Sequence, residues 1–160
     1  MTPARAALLK RAPQSSAGLA VVQALYQMEM SGASAAAVQE DVRDGRLPAG
    51  EAGPIDVEID QALFTRLIQG VVAHQGVIDT TIARALSEGW RLERLDAVAR
   101  AILRAGAVEL ALPGEAPTAV VIGEYVDIAK AFFDGPEPGF VNAALDACAR
   151  AGGDVDGRAS

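Results

Sequence analysis

Gly45 and Gly50 stand at the spacing of a phosphate-binding loop, in which backbone N–H groups cradle phosphate and a following Lys and hydroxyl residue complete the site. Glu51 and Ala52 follow here, so neither the cation nor the magnesium ligand is supplied. Asp56, Glu58 and Asp60 repeat the first three ligand positions of a calcium loop, but Gln61 stands where the turn needs Gly and Leu67 where the ion needs Glu. These acids read better as a solvated helix start that complements the helix dipole. His74 has no recognisable nucleophile or orienting group nearby, and a place in the last turn of a helix suits it better than general-base work. Cys148 falls on an apolar stripe and reads as a buried thiol rather than a nucleophile. One Cys and one His cannot supply the usual four ligands of a zinc site, and a lone Cys has no internal disulfide partner. No metal, no cofactor, no enzymatic centre and a reducing compartment are therefore expected.

The remaining chemistry is electrostatic and aromatic. The net charge of −7 argues against indiscriminate binding of polyanions, but the charge is unevenly spread. Arg5, Lys10 and Arg11 against Glu29 make residues 1–30 locally basic, at +2. Five arginines against Glu88, Glu93 and Asp96 give residues 84–104 another +2, while the rest of the chain is acidic. Contacts with a polyanion must be local, and they must be sensitive to salt. The acid-free start also has the look of a targeting segment, but its apolar stretch, Ala17 to Val22, is too short for a secretory core and leads straight into a helical pattern.

The elements that would position these groups are helical. Val21, Leu25 and Met28 repeat at helical spacing, which predicts a first helix over Ser16 to Met30, closed by Gly32. Ser34 can cap a second helix through Glu40, before a Gly- and Pro-containing linker at about 43–55. A third helix, about Val57 to His74, carries the widest apolar stripe and is expected to be the central core helix. Gly76 is taken as a break before a fourth helix through Ile78, Ile82 and Leu86, after which Trp90 and Leu92 are expected to plug the core. A fifth helix over about Glu93 to Leu112, a sixth from Pro117 through Phe132, and a seventh from Phe140 to about Arg150 complete the pattern, with 152–160 as a loose tail. The prediction is an all-α fold of about seven helices, arranged as two small helical bundles packed together, with a basic arm at 1–15 and one domain at 16–151.

A length of 160 residues and a hydrophobic share of 51% suit one domain with a real core. Gln23, Arg66, Gln69, Arg104 and Lys130 interrupt every apolar run short of the ~18 residues that a membrane span needs.

Several segments, in their order and spacing, resemble the NusB family of bacterial transcription antitermination factors. The resemblance is carried by Val22-Gln23-Ala24-Leu25-Tyr26-Gln27, by Ala101-Ile102-Leu103-Arg104 with Glu109-Leu110, by Val120-Val121-Ile122 with Glu124 and Ala129-Lys130, and by Phe140-Val141-Asn142 with Leu145-Asp146. It implies a NusB-like helical fold in a cytoplasmic protein that binds boxA RNA jointly with the small-subunit ribosomal protein that doubles as NusE, within an RNA polymerase antitermination complex acting on ribosomal RNA transcription.

The resemblance also implies a site. Arg5, Lys10 and Arg11 would contact phosphates, Tyr26 and Phe140 would offer aromatic faces to unpaired bases, and Gln23 and Asn142 would bond base edges or ribose. Each has a plainer alternative: Tyr26 and Phe140 lie close to apolar stripes, Gln23 and Asn142 could merely cap or solvate helix ends, and the basic arm could be a solvated terminus. Arg91, Arg94 and Arg100 form a candidate partner surface or a solvated face. The chain departs from the family where Pro13-Gln14-Ser15-Ser16 replaces a dense arginine run, where Gly123 replaces Asn, and where Pro136, Glu137 and Pro138 place no base before Phe140. Such a sparse arm points to weak RNA binding without the ribosomal protein. The rival reading is a helical protein-interaction module, or an accessory module of an rRNA-modifying enzyme, without RNA binding of its own.

Overall fold

The computed structural model describes residues 13–44, 59–86, 90–112, 114 and 116–151, which form six α-helices and one 3-10 turn, with no strand among the described residues. The expected linker beyond Asp44 and the tail at 152–160 lie outside them, as do Arg5, Lys10 and Arg11.

Helix α1 spans Pro13–Ser31 and so begins three residues before the expected Ser16, with proline in the first turn, where its missing N–H costs nothing. Its first half is buried on every side from Ser16 to Val22, and only past Leu25 does it open a solvent face. It ends at Gly32, whose φ of 75° is the left-handed geometry that glycine adopts without strain and whose N–H bonds Met28 O at 3.0 Å.

Helix α2, Ala35–Arg43, is capped as expected by Ser34, whose Oγ accepts from Ala37 N at 3.0 Å. It runs past the expected Glu40, because Val42 still reaches the core. Helix α3, Gln61–Ala85, starts on Asp60, whose carboxylate accepts from Leu63 N at 3.0 Å. That cap is the local reason for one of the acids in the calcium-like run.

The largest correction falls on α3, which unites the expected third and fourth helices. Gly76 does not break it, and the only non-helical residue inside is the exposed His74, at φ −124° and ψ 22°. Val71 and Ile78, two turns apart, are both buried, so continuing the helix keeps one stripe on the core, whereas stopping it would strand Ile78 and Ile82. His74 therefore sits at a kink rather than at a helix end.

A 3-10 turn at Leu92–Arg94 precedes α4, Ala97–Ala111, which starts later than expected because the Asp96 carboxylate caps it through Val98 N at 2.8 Å. Helix α5 spans Thr118–Phe132, and α6, Glu137–Arg150, takes up Pro136 to Gly139, expected as loop, as its cap and first turn. Helix α4, rather than α3, is the most buried element: it packs against α1, α3, α5 and α6, with nine of its fifteen residues buried. Its alanines and Gly106 let neighbouring helices approach closely. Helix α6 in turn packs on α3, α4 and α5, and one continuous apolar core draws on all six helices. At its centre Tyr125 is fully buried, and its hydroxyl donates to Glu109 Oε1 at 2.7 Å, satisfying the phenol. Burial raises the Glu109 carboxyl above the ordinary value. Cys148 is buried, and burial pushes its thiol up to about 11, as befits a structural thiol. Among the described residues no helix is long and apolar enough to cross a membrane.

Candidate nucleic-acid interface

The C-terminal half of α1 presents Gln23, Tyr26, Gln27 and Met30 at helical spacing along one face. Tyr26 is 39% exposed and Met30 62%, so the aromatic ring that stood between core and surface is on the surface. Gln23 and Gln27 are half-buried, and among the described residues their Oε1 atoms have no hydrogen-bond partner. Both of these oxygens are buried, so the group this face offers directly to a base is the exposed phenol of Tyr26, whose ring can stack.

Glu29, one turn beyond Tyr26, anchors this face to the rest of the fold. Its carboxylate accepts from Nε and Nη2 of Arg100 on α4, while Arg100 Nη1 donates to Leu92 O at 3.1 Å and Leu95 O at 2.7 Å. Arg104, one turn on, makes a two-pronged pair with Asp79 of α3 at 2.9 Å and lies 3.7 Å from Glu29. Arg100 is only 12% exposed, so the reading of it as part of a solvated charged face is corrected, whereas Arg91 and Arg94 are exposed. This network was missed because its partners are far apart in sequence: 71 positions separate Arg100 from Glu29. The hydrogen bonds from Arg100, with its charge and that of Arg104, hold the Glu29 carboxyl below its ordinary 4.5. A carboxylate depressed in the folded state adds stability that is present above the unfolded value and lost as pH falls through the folded one. Glu29→Gln is therefore expected to lower the urea midpoint most at pH 7, with its gap from the unaltered protein closing below about pH 4. Equal gaps at pH 7 and pH 3 would show that the pair contributes nothing through charge.

Phe140 is half-buried in the first turn of α6 and stacks on Trp90, with centroids 4.5 Å apart and planes at 28°. Trp90 itself is 44% exposed, so it does not plug the core as expected; Leu92 and Leu95 do. Asn142 is exposed, but two positions along a helix from Phe140 it points to a different side. The structure thus brings Gln23 and Tyr26 onto one face and ties that face through Glu29 and Arg100 to the turn that follows Trp90, while Asn142 is exposed on a different side of α6 from Phe140. Arg5, Lys10 and Arg11 lie outside the described residues, and the approach to α1 from that side is known from sequence alone.

An all-helical bundle wrapped around one small-residue helix, with a braced surface of amides, aromatics and arginines, is the class of protein that fold and site define. The NusB family model matches residues 15–150. A transcription antitermination protein NusB from Caulobacter vibrioides is 54% identical over 138 residues, 86% of this chain and 93% of the relative. That of Maricaulis maris is 49% identical over 134 residues, 84% of each chain. Among solved structures, T. maritima NusB superposes with a TM-score of 0.69 at 29% identity, covering 88% of this chain and 92% of that one. A chain in the crystal structure of a plectonemic RNA supercoil also matches, with a TM-score of 0.69, 26% identity and coverage of 86% and 94%. The chain belongs to the NusB family of transcription antitermination proteins.

Proposed function

We propose that the protein is a cytoplasmic, non-catalytic antitermination factor that binds boxA-type RNA together with a NusE-type small-subunit ribosomal protein, and so modifies RNA polymerase during ribosomal RNA transcription. The observation that carries this reading is the exposed Tyr26 on α1, beside the half-buried Gln23, on a helix whose preceding half is buried and whose N-terminal approach in sequence holds Arg5, Lys10 and Arg11. Basic groups supply affinity that is blind to sequence, whereas an aromatic ring and amides beside them supply stacking and edge recognition of unpaired bases. The names of the relatives and the RNA in one matching structure support the same reading. Phe140, stacked on Trp90 at the start of α6, offers a further aromatic group, and the exposed Asn142 a further polar one.

Three basic groups neutralise few phosphates, so binding by the protein alone is expected to be weak, with a shallow salt dependence of log–log slope about −2. A partner presenting its own contacts on the same RNA makes the second engagement effectively intramolecular, which gains at least about tenfold in affinity. Fluorescence anisotropy of labelled boxA-type RNA, with and without the ribosomal protein, beside a scrambled RNA and at two salt concentrations, checks this. Tyr26→Ala is expected to weaken binding by the mixture about tenfold, the loss of one stacked base. If the two proteins form a complex that ignores both RNAs, the chain is a helical interaction module and the RNA assignments fall.

A further inference from the structure

We propose that Trp90, seated on Phe140, is a second base-stacking platform that takes an unpaired base of single-stranded RNA. The inference rests on the RNA-binding reading above and adds to it a residue on a different element. One face of the indole is taken up by Phe140 at 4.5 Å, so its 44% exposure lies on the rest of the ring. An indole stacked on a half-buried phenyl group is ordered before any ligand arrives, and a platform already ordered loses little entropy on binding.

The turn that follows it is held as well. Leu92, two residues on, has its carbonyl bonded at 3.1 Å by Arg100, which Glu29 holds from α1. The same brace therefore fixes the Tyr26 face and the turn that follows Trp90.

The surrounding charge favours a nucleic acid over an apolar protein segment. Arg91 caps the 3-10 turn in extended geometry and Arg94 is its last residue. Both are exposed, and neither makes a salt bridge with another described residue. Glu93, also exposed, is the one acid of the turn. An exposed aromatic followed one and four residues on by exposed arginines is a combination that suits single strands: every base has a face to stack, and neighbouring phosphates find cations within reach of the same segment.

Trp90 is the single tryptophan, so the emission of the full-length chain reports on this position directly. An unlabelled boxA-type oligoribonucleotide is titrated into the chain at low salt, and into its complex with the ribosomal protein using the Trp90→Phe complex as blank. Saturable quenching that tracks the anisotropy signal is expected, with Trp90→Ala binding about tenfold more weakly and Trp90→Phe recovering most of the loss. Anisotropy that rises while emission stays unchanged, with Trp90→Ala within twofold of the unaltered protein, overturns the platform and leaves the RNA-binding function standing. Emission that changes on adding the ribosomal protein, and not on adding RNA, overturns it in favour of a protein contact. Absence of RNA binding by every form overturns both readings.

Discussion

Arg100→Met is expected to lower the free energy of unfolding by about 3 kcal/mol, because one guanidinium satisfies two backbone carbonyls and a carboxylate at once. Methionine keeps most of the stem's volume and helix propensity, so the loss isolates the charged head. Breaking a buried charged pair from one side costs about 3–5 kcal/mol, and the lower end applies since Glu29, a third exposed, can be rehydrated. Leu92 O and Leu95 O have less recourse, since both belong to residues packed into the core. In melting temperature the change is about 6–12 °C for a chain of this size. Lysine at the position should recover only part, since a point charge cannot reach the carboxylate and both carbonyls together. A double-mutant cycle with Glu29→Gln separates the carboxylate from the carbonyls. A loss below about 1 kcal/mol for Arg100→Met would show that the network behaves as a solvated surface pair. The same variant should loosen the turn that follows Trp90, so its RNA affinity is expected to fall alongside its stability.

The helices were legible because each buries a stripe that repeats at helical spacing, and their caps at Ser34 and Gly32 were legible because few residue types can do those jobs. What was misread came from punctuation. Gly76 reads as a break in the sequence, but nothing lies within 4 Å of where its side chain would be, and an exposed glycine in a helix that is otherwise anchored on both sides costs only about 1 kcal/mol. Pro136 and Pro138 read as loop in the sequence, yet a helix cap and first turn accept proline readily. The site was less legible than the fold. Tyr26 was placed between core and surface, and the structure puts it on the surface; Phe140 is half-buried because Trp90 covers it. No periodicity could give that stack, since it joins residues from a loop and a helix 50 positions apart. The pairing of Arg100 with Glu29 was hidden for the same reason, whereas local spacing sufficed for Gln23 and Tyr26, which share one face of one helix.

Gly106→Val is expected to cost about 3 kcal/mol, by overpacking at the point where α4, α5 and α6 meet. A Cβ at Gly106 would stand 2.8 Å from Leu145 Cδ1 and 3.3 Å from Tyr125 Cγ, and both side chains are fully buried, so neither has open space to move into. Valine adds two further methyl groups at a fixed rotamer. Relief by moving Tyr125 is restricted, because the ring is fully buried and its hydroxyl is tied to Glu109 at 2.7 Å. The crossing must widen instead, and widening it displaces α6, which carries Phe140, relative to α4, against which α1 holds Tyr26. Urea unfolding measures the stability, and the emission of Trp90 reports whether its stack on Phe140 survives in the folded variant. Gly106→Ala sharpens the argument, since alanine regains about 0.5–1 kcal/mol of helix propensity while keeping the 2.8 Å contact. A destabilised alanine variant means that the closeness of the helices sets the crossing. A stabilised one means that the Leu145 terminus can rotate aside, and that glycine here serves the approach of helices less than its burial suggests.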